Sequence, residues 1–178
     1  MGMIRYAVCM ASLTLATIPA MAQPADTDAA GASWDVAGMG RTIAAARQAR
    51  QAGDLDTAEQ LCRVAFDSVE RSALAAYDAY ADRLKAEHRS DESTVHEQSA
   101  RLHALKAEQG RGTQPTSTYL GFAPSDGLNA YADLLSSVRD DDGSRRMHSL
   151  ALAYQQVQQA HFQRTMLFRQ GKDPRGSC

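Results

Sequence analysis

The segment LDTAEQLCRVAFDSV, residues 55–69, sets apolar side chains at Leu55, Ala58, Leu61, Cys62, Ala65, Phe66 and Val69. Steps of three and four residues repeat the turn of a helix, so the spacing predicts one helix with one buried stripe. The same texture runs from Trp34 to Gly171. Ala, Leu, Gln, Glu and Arg dominate there, and β-branched runs are absent, which predicts an all-α domain over 34–171. Gly53 ends a preceding helix and Asp54 caps the next. Similar corners recur at AEHRSDES, between helices over about 73–88 and 93–109, and at VRDDDGS, between helices over about 126–139 and 144–170. Residues 110–124, GRGTQPTSTYLGFAP, break the pattern with Gly, Pro and Thr and read as a loop. Tyr119, Leu120 and Phe122 are expected to turn back onto the core, with Ser125 capping the next helix.

The three corners align on Gly53, His88 and Arg139. Eight residues earlier stand Ala45, Tyr80 and Tyr131, followed by Ala46, Ala81 and Ala132. Four before the corner come Ala49, Leu84 and Leu135; five after it come Ala58, Ser93 and Ser144; twelve after it come Ala65, Ala100 and Ala151. Columns of Ala and Ser let antiparallel helices approach closely. Within this frame, AYADRL at 79–84 and AYADLL at 130–135 are one phrase written twice.

These columns resemble the tetratricopeptide repeat, a helix–turn–helix unit of about 34 residues. GDLDTAEQLCRVA, Gly53 to Ala65, is similar to the family's Gly, Ala and Ala pattern, and YADLL with its step to the corner resembles the first helix of a unit. The resemblance spans about residues 36–160 and implies a right-handed stack of antiparallel helix hairpins, an α-solenoid of three units. The long last helix would act as its cap, with Met147, Ala151, Tyr154 and Val157 facing inward and a Gln-rich side outward. The chain departs from the family in lacking the unit-end proline, and the corner glycine stands only in the first unit. Over 93–109, Val95, Leu102 and Leu105 sit off the expected face, and a one-residue slip repairs the register. By place in the repeat, the resemblance implies a groove lined by Arg47, Asp78, Asp82, Lys85, Asn129 and Asp133, which would hold a segment of a partner protein. An alternative is a structural protein that self-assembles through exposed helix faces.

Residues 1–22 change the picture of where the domain works. One positive charge in MGMIR, a short apolar stretch and AMA before Gln23 read as a secretory signal peptide cleaved after Ala22. A periplasmic or secreted protein is expected, with no membrane insertion after cleavage, a flexible leader over 23–33 and a flexible tail over 172–178. Loss of Arg5 takes the formal charge from −2 to −3, too mild to suggest binding to nucleic acid or membrane surfaces. Two cysteines survive cleavage. Cys62 and Cys178 can pair in an oxidising compartment, or Cys62 can remain a buried thiol on its apolar face.

Candidate chemistry is sparse. His96 and His103 share a face but stand about 10.5 Å apart along a helix, too far for one metal ion. No nucleophile–base pair or phosphate-cradling loop is evident. Neither an enzyme, nor a cofactor, nor a metal site is therefore expected. Asp140, Asp141 and Asp142 read as a helix start, where each negative charge contributes about 0.3–1 kcal/mol at best.

Overall fold

The structure is a computed structural model that describes residues 36–110 and 121–178. The proposed signal peptide, the leader, Tyr119 and Leu120 lie outside the described residues. Five α-helices and no strand appear among the described residues: α1 Val36–Gln51, α2 Leu55–Ala86, α3 Glu92–Gly110, α4 Pro124–Ser137 and α5 Asp141–Arg169. None of them is long and apolar enough to cross a membrane.

The aligned corners are the places where the backbone turns left-handed. Gly53, His88 and Arg139 have φ of 82°, 52° and 64°. Each corner closes with the same two bonds. The N–H groups of Gly53, His88 and Arg139 donate to the carbonyls of Arg50, Lys85 and Ser136, and those of Asp54, Arg89 and Asp140 donate to Ala49, Leu84 and Leu135, all at 2.9–3.1 Å. This pairing satisfies carbonyls that a helix end leaves open. Asp54 and Asp140 then start the next helices, accepting from the N–H of Thr57 at 3.1 Å and of Gly143 at 2.9 Å. Asp140 thus caps α5, and Asp141 and Asp142 lie in its first turn. Ser125 does not cap α4. Pro124 occupies the first turn after Ala123, and Ser125 is buried behind it, because proline at this position presets the backbone and needs no donor.

Expectation and structure differ at α2. Separate helices near 55–69 and 73–88 are fused into one of 32 residues. The junction Ser68–Leu74 holds neither Gly nor Pro, so nothing stops the helix, and the buried stripe continues through Ala73, Ala76, Tyr77, Tyr80, Ala81 and Leu84.

α2 and α5 form an antiparallel spine. Glu59 meets Arg164 and Glu70 meets His161, so the two chains run in opposite directions. α1 packs on α2, and α3 runs back along its second half, with Lys106 at Glu70 and Ser99 at Asp78. α4 pairs with α5 and lies beside the second half of α2. Tyr77 donates its hydroxyl to the Pro124 carbonyl at 2.9 Å, and Tyr80 contacts Tyr131, so α2 and α4 are parallel. Gly127 permits this approach, since a Cβ there would stand 2.0 Å from the Tyr77 oxygen.

The small-residue columns lie in the interior at Ala46, Ala81, Ala132, Ala58, Ala65 and Ala151. In α3 the register slips by one: Ser99 is buried and Ala100 exposed, while Val95 and Leu102 join the core. Ala151, Tyr154 and Val157 of α5 face inward, with Met147 packed at the margin, and Phe122 lies against the Tyr77 ring.

Candidate protein-binding surface

The twin phrases meet in space. The rings of Tyr80 and Tyr131 stack at 5.0 Å with 18° between their planes. Alanine follows each and is buried, which lets α2 and α4 lie close enough for the rings to overlap. Burial pushes both phenols above their ordinary pKa; Asp91 adds to the shift at Tyr80, while Arg83 partly offsets it at Tyr131. One residue past each alanine, Asp82 and Asp133 are exposed and make no hydrogen bond or ion pair among the described residues. Lys85, one helical turn beyond Asp82, is likewise exposed.

The other three candidates are occupied within the fold. Asp78 accepts from the Ser99 hydroxyl and lies 3.0 Å from Nε2 of His103, so it fastens α3 to α2. Asn129 lies 3.0 Å from Nδ1 of His148, across the α4–α5 hairpin. Arg47 donates twice to the main-chain oxygen of Cys178 at 3.3 Å, near Cys62. From there Asp82 is about 30 Å along α2. The six residues therefore do not line one groove: Asp82, Lys85 and Asp133 share the α2–α4 region, and Arg47 belongs elsewhere.

Cys62 and Cys178 are joined by a disulfide, with Cα atoms 5.7 Å apart. Residues 172–178, expected to be flexible, turn back at Gly171 and lie against α1 and α2. Arg50 donates to the Arg175 carbonyl at 2.6 Å. Arg175 pairs with Asp56 at 2.8 Å, and the Gly176 N–H donates to Glu59 at 3.2 Å. Gly176 sits so near Ala58 that a Cβ would stand 2.4 Å from the Ala58 methyl. Within the tail, Arg175 holds the Asp173 carboxyl down at about 2. Sequence reading missed these tail partners because its corner pattern ends at α5. The available signal was the cysteine pair, which fixes where the tail must return.

A second surface also escaped the pattern. Leu152, Phe162, Met166 and Phe168 of α5 are large, apolar and exposed. Leu152, Phe162 and Met166 share a face with Gln155, Gln159 and Gln163 on helical angles, and no charged residue interrupts that face between Ser149 and Met166. Its signal was the Phe162–Met166 spacing, off the inward stripe. The described residues hold no cluster of three metal-ligating side chains. Comparison with protein-family models, with curated proteins and with solved structures finds no match.

Proposed function

We propose that this chain is an exported, tetratricopeptide-like interaction module, working in the periplasm or outside the cell, that holds a segment of a partner protein, in envelope assembly or secretion. The observation that carries this reading is the Tyr80–Tyr131 stack. It sets two copies of the same phrase side by side on parallel helices and leaves Asp82 and Asp133 exposed without an ionic partner. Two exposed carboxylates at equivalent steps of the twin phrases favour a basic or amide-rich segment. Lys85 limits how acidic the surface becomes, so binding is modest and weakens with salt.

The test is capture from envelope extract with the mature chain as bait, comparing it with the double variant Asp82→Asn, Asp133→Asn. The expected result is loss of one or a few defined partners from the variant, with helicity and melting unchanged. Identical capture by both baits sinks the reading. The second reading, a self-assembling structural protein, is favoured by the uncharged apolar face of α5, because interface centres are depleted of charge. Sedimentation of residues 23–178 separates the two: an adaptor sediments as a monomer, a self-assembler as a defined multimer.

A further inference from the structure

Residues 175–178 lie in a groove between α1 and the first half of α2, apart from Asp82 and Asp133. Its α1 edge offers donors: Arg47 and Arg50 take the main-chain oxygens of Cys178 and Arg175. Its α2 edge offers acceptors: Glu59 takes the Gly176 N–H and Asp56 the Arg175 guanidinium. Between the edges the floor is the methyl of Ala58, itself fully buried. Donors on one wall and acceptors on the other clasp a tight turn, in which the Ser177 N–H donates to the Pro174 carbonyl at 3.2 Å and Gly176 takes a φ of 68°. The floor accepts a residue without a side chain, as the 2.4 Å approach at Gly176 requires. The present occupant is tethered to the seat by the bond between Cys62 and Cys178.

We propose that this groove binds a turn-forming peptide segment of another protein, carrying an arginine followed by glycine, and that residues 173–178 close it in cis under a disulfide latch. Cys62 is fully buried, whereas Cys178 is only partly so, so an incoming thiolate reaches the Cys178 sulfur first. Attack there by a dithiol forms a mixed disulfide and releases the Cys62 thiolate, which takes up a proton. The second thiol of the reductant then attacks the mixed bond. Cys178 leaves as a thiol, and the reductant departs as a disulfide, having given two electrons and two protons. Only non-covalent contacts then hold the tail, and a segment of the same chemistry competes for the seat.

The experiment uses the full mature chain in three forms: oxidised, reduced with dithiothreitol, and the variant Cys62→Ser, Cys178→Ser. Trypsin cleavage of the Arg175–Gly176 bond reports tail release. A fluorescein-labelled peptide, Gly-Lys-Asp-Pro-Arg-Gly-Ser-Ser, reports the open seat by anisotropy and has no thiol with which to crosslink. In the two latch-free forms, cleavage is expected to be faster by about ten-fold or more, and the peptide binds them but not the oxidised form. Equal cleavage in all forms, or peptide binding that ignores the disulfide or is absent throughout, overturns the proposal. Loss of helicity by circular dichroism in both latch-free forms also overturns it, because the bond is then a structural staple. None of these outcomes bears on Asp82 and Asp133.

Discussion

A left-handed backbone costs a residue with a side chain about 1–2 kcal/mol, and glycine almost nothing. His88 and Arg139 both take that conformation, and neither side chain appears in a hydrogen bond or ion pair among the described residues. Their columns are legible in sequence because the corner spacing is fixed by helix endings, whatever residue stands there. Replacing Arg139 with Gly is predicted to stabilise the fold by about 0.5–1 kcal/mol, the relief of strain exceeding the entropy that glycine loses. Thermal unfolding monitored by circular dichroism reads this as a higher Tm. A lower Tm would mean that the Arg139 side chain contributes more than its strained backbone costs. At Gly53, where φ is 82°, the same logic makes alanine a destabilising change.

At the scale of the helix, α3 shows how far periodicity carries. Its repeat alignment puts Ala100 inward, but its own apolar residues Val95 and Leu102 put Ser99 inward, and the fold follows the apolar residues. Burial of large side chains outweighs the small-residue column, because an alanine gains little from the core. Leucine at Ala65 is therefore predicted to overpack the interior and cost about 1–3 kcal/mol. Leucine at Ala100 is predicted to change stability by no more than about 0.5 kcal/mol. Urea denaturation of the two variants checks the contrast, and similar losses in both would place α3 in the unslipped register. The fused α2 was not legible, since the expected helices covered 55–69 and about 73–88 as separate segments. Local sequence holds no residue that ends a helix there, and local chemistry prevails over repeat analogy. Three of the proposed groove residues have partners within the fold that the repeat did not foretell. Position in a repeat says which way a side chain leaves its helix, but not whether Ser99, His148 or the returning tail already waits for it.

For the whole molecule, the spine of α2 and α5 is fastened by two partly buried carboxylates rather than by apolar contact alone. Glu59 accepts from Arg164 at 2.6 and 2.7 Å, and Glu70 accepts from Lys106 at 2.6 Å and lies 3.2 Å from His161. Between them the Phe66 ring packs against His161 at 4.8 Å and lies beneath the Arg164 guanidinium. Three helices thus meet at Glu70, and the tail joins them at Glu59 through Gly176. Burial alone would raise both carboxyl pKa values, but hydrogen bonds from His161 and Lys106 at Glu70, and from Arg164 and Arg63 at Glu59, hold them below the ordinary 4.5. A carboxylate depressed in the folded state stabilises the fold above its unfolded pKa, and that contribution disappears as pH falls through the folded value. Stability is therefore predicted to hold from neutrality down to about pH 4.5 on account of these groups, and to drop below it. Glu70→Gln separates this node from the exposed carboxylates. The amide keeps the shape but not the charge, so the variant loses about 1–3 kcal/mol at pH 7, and less further stability than the parent on acidification. Urea midpoints at pH 7 and in the acid range measure both effects. Equal acid losses in variant and parent would place the acid sensitivity outside the Glu70 node and leave the spine held by its apolar stripe.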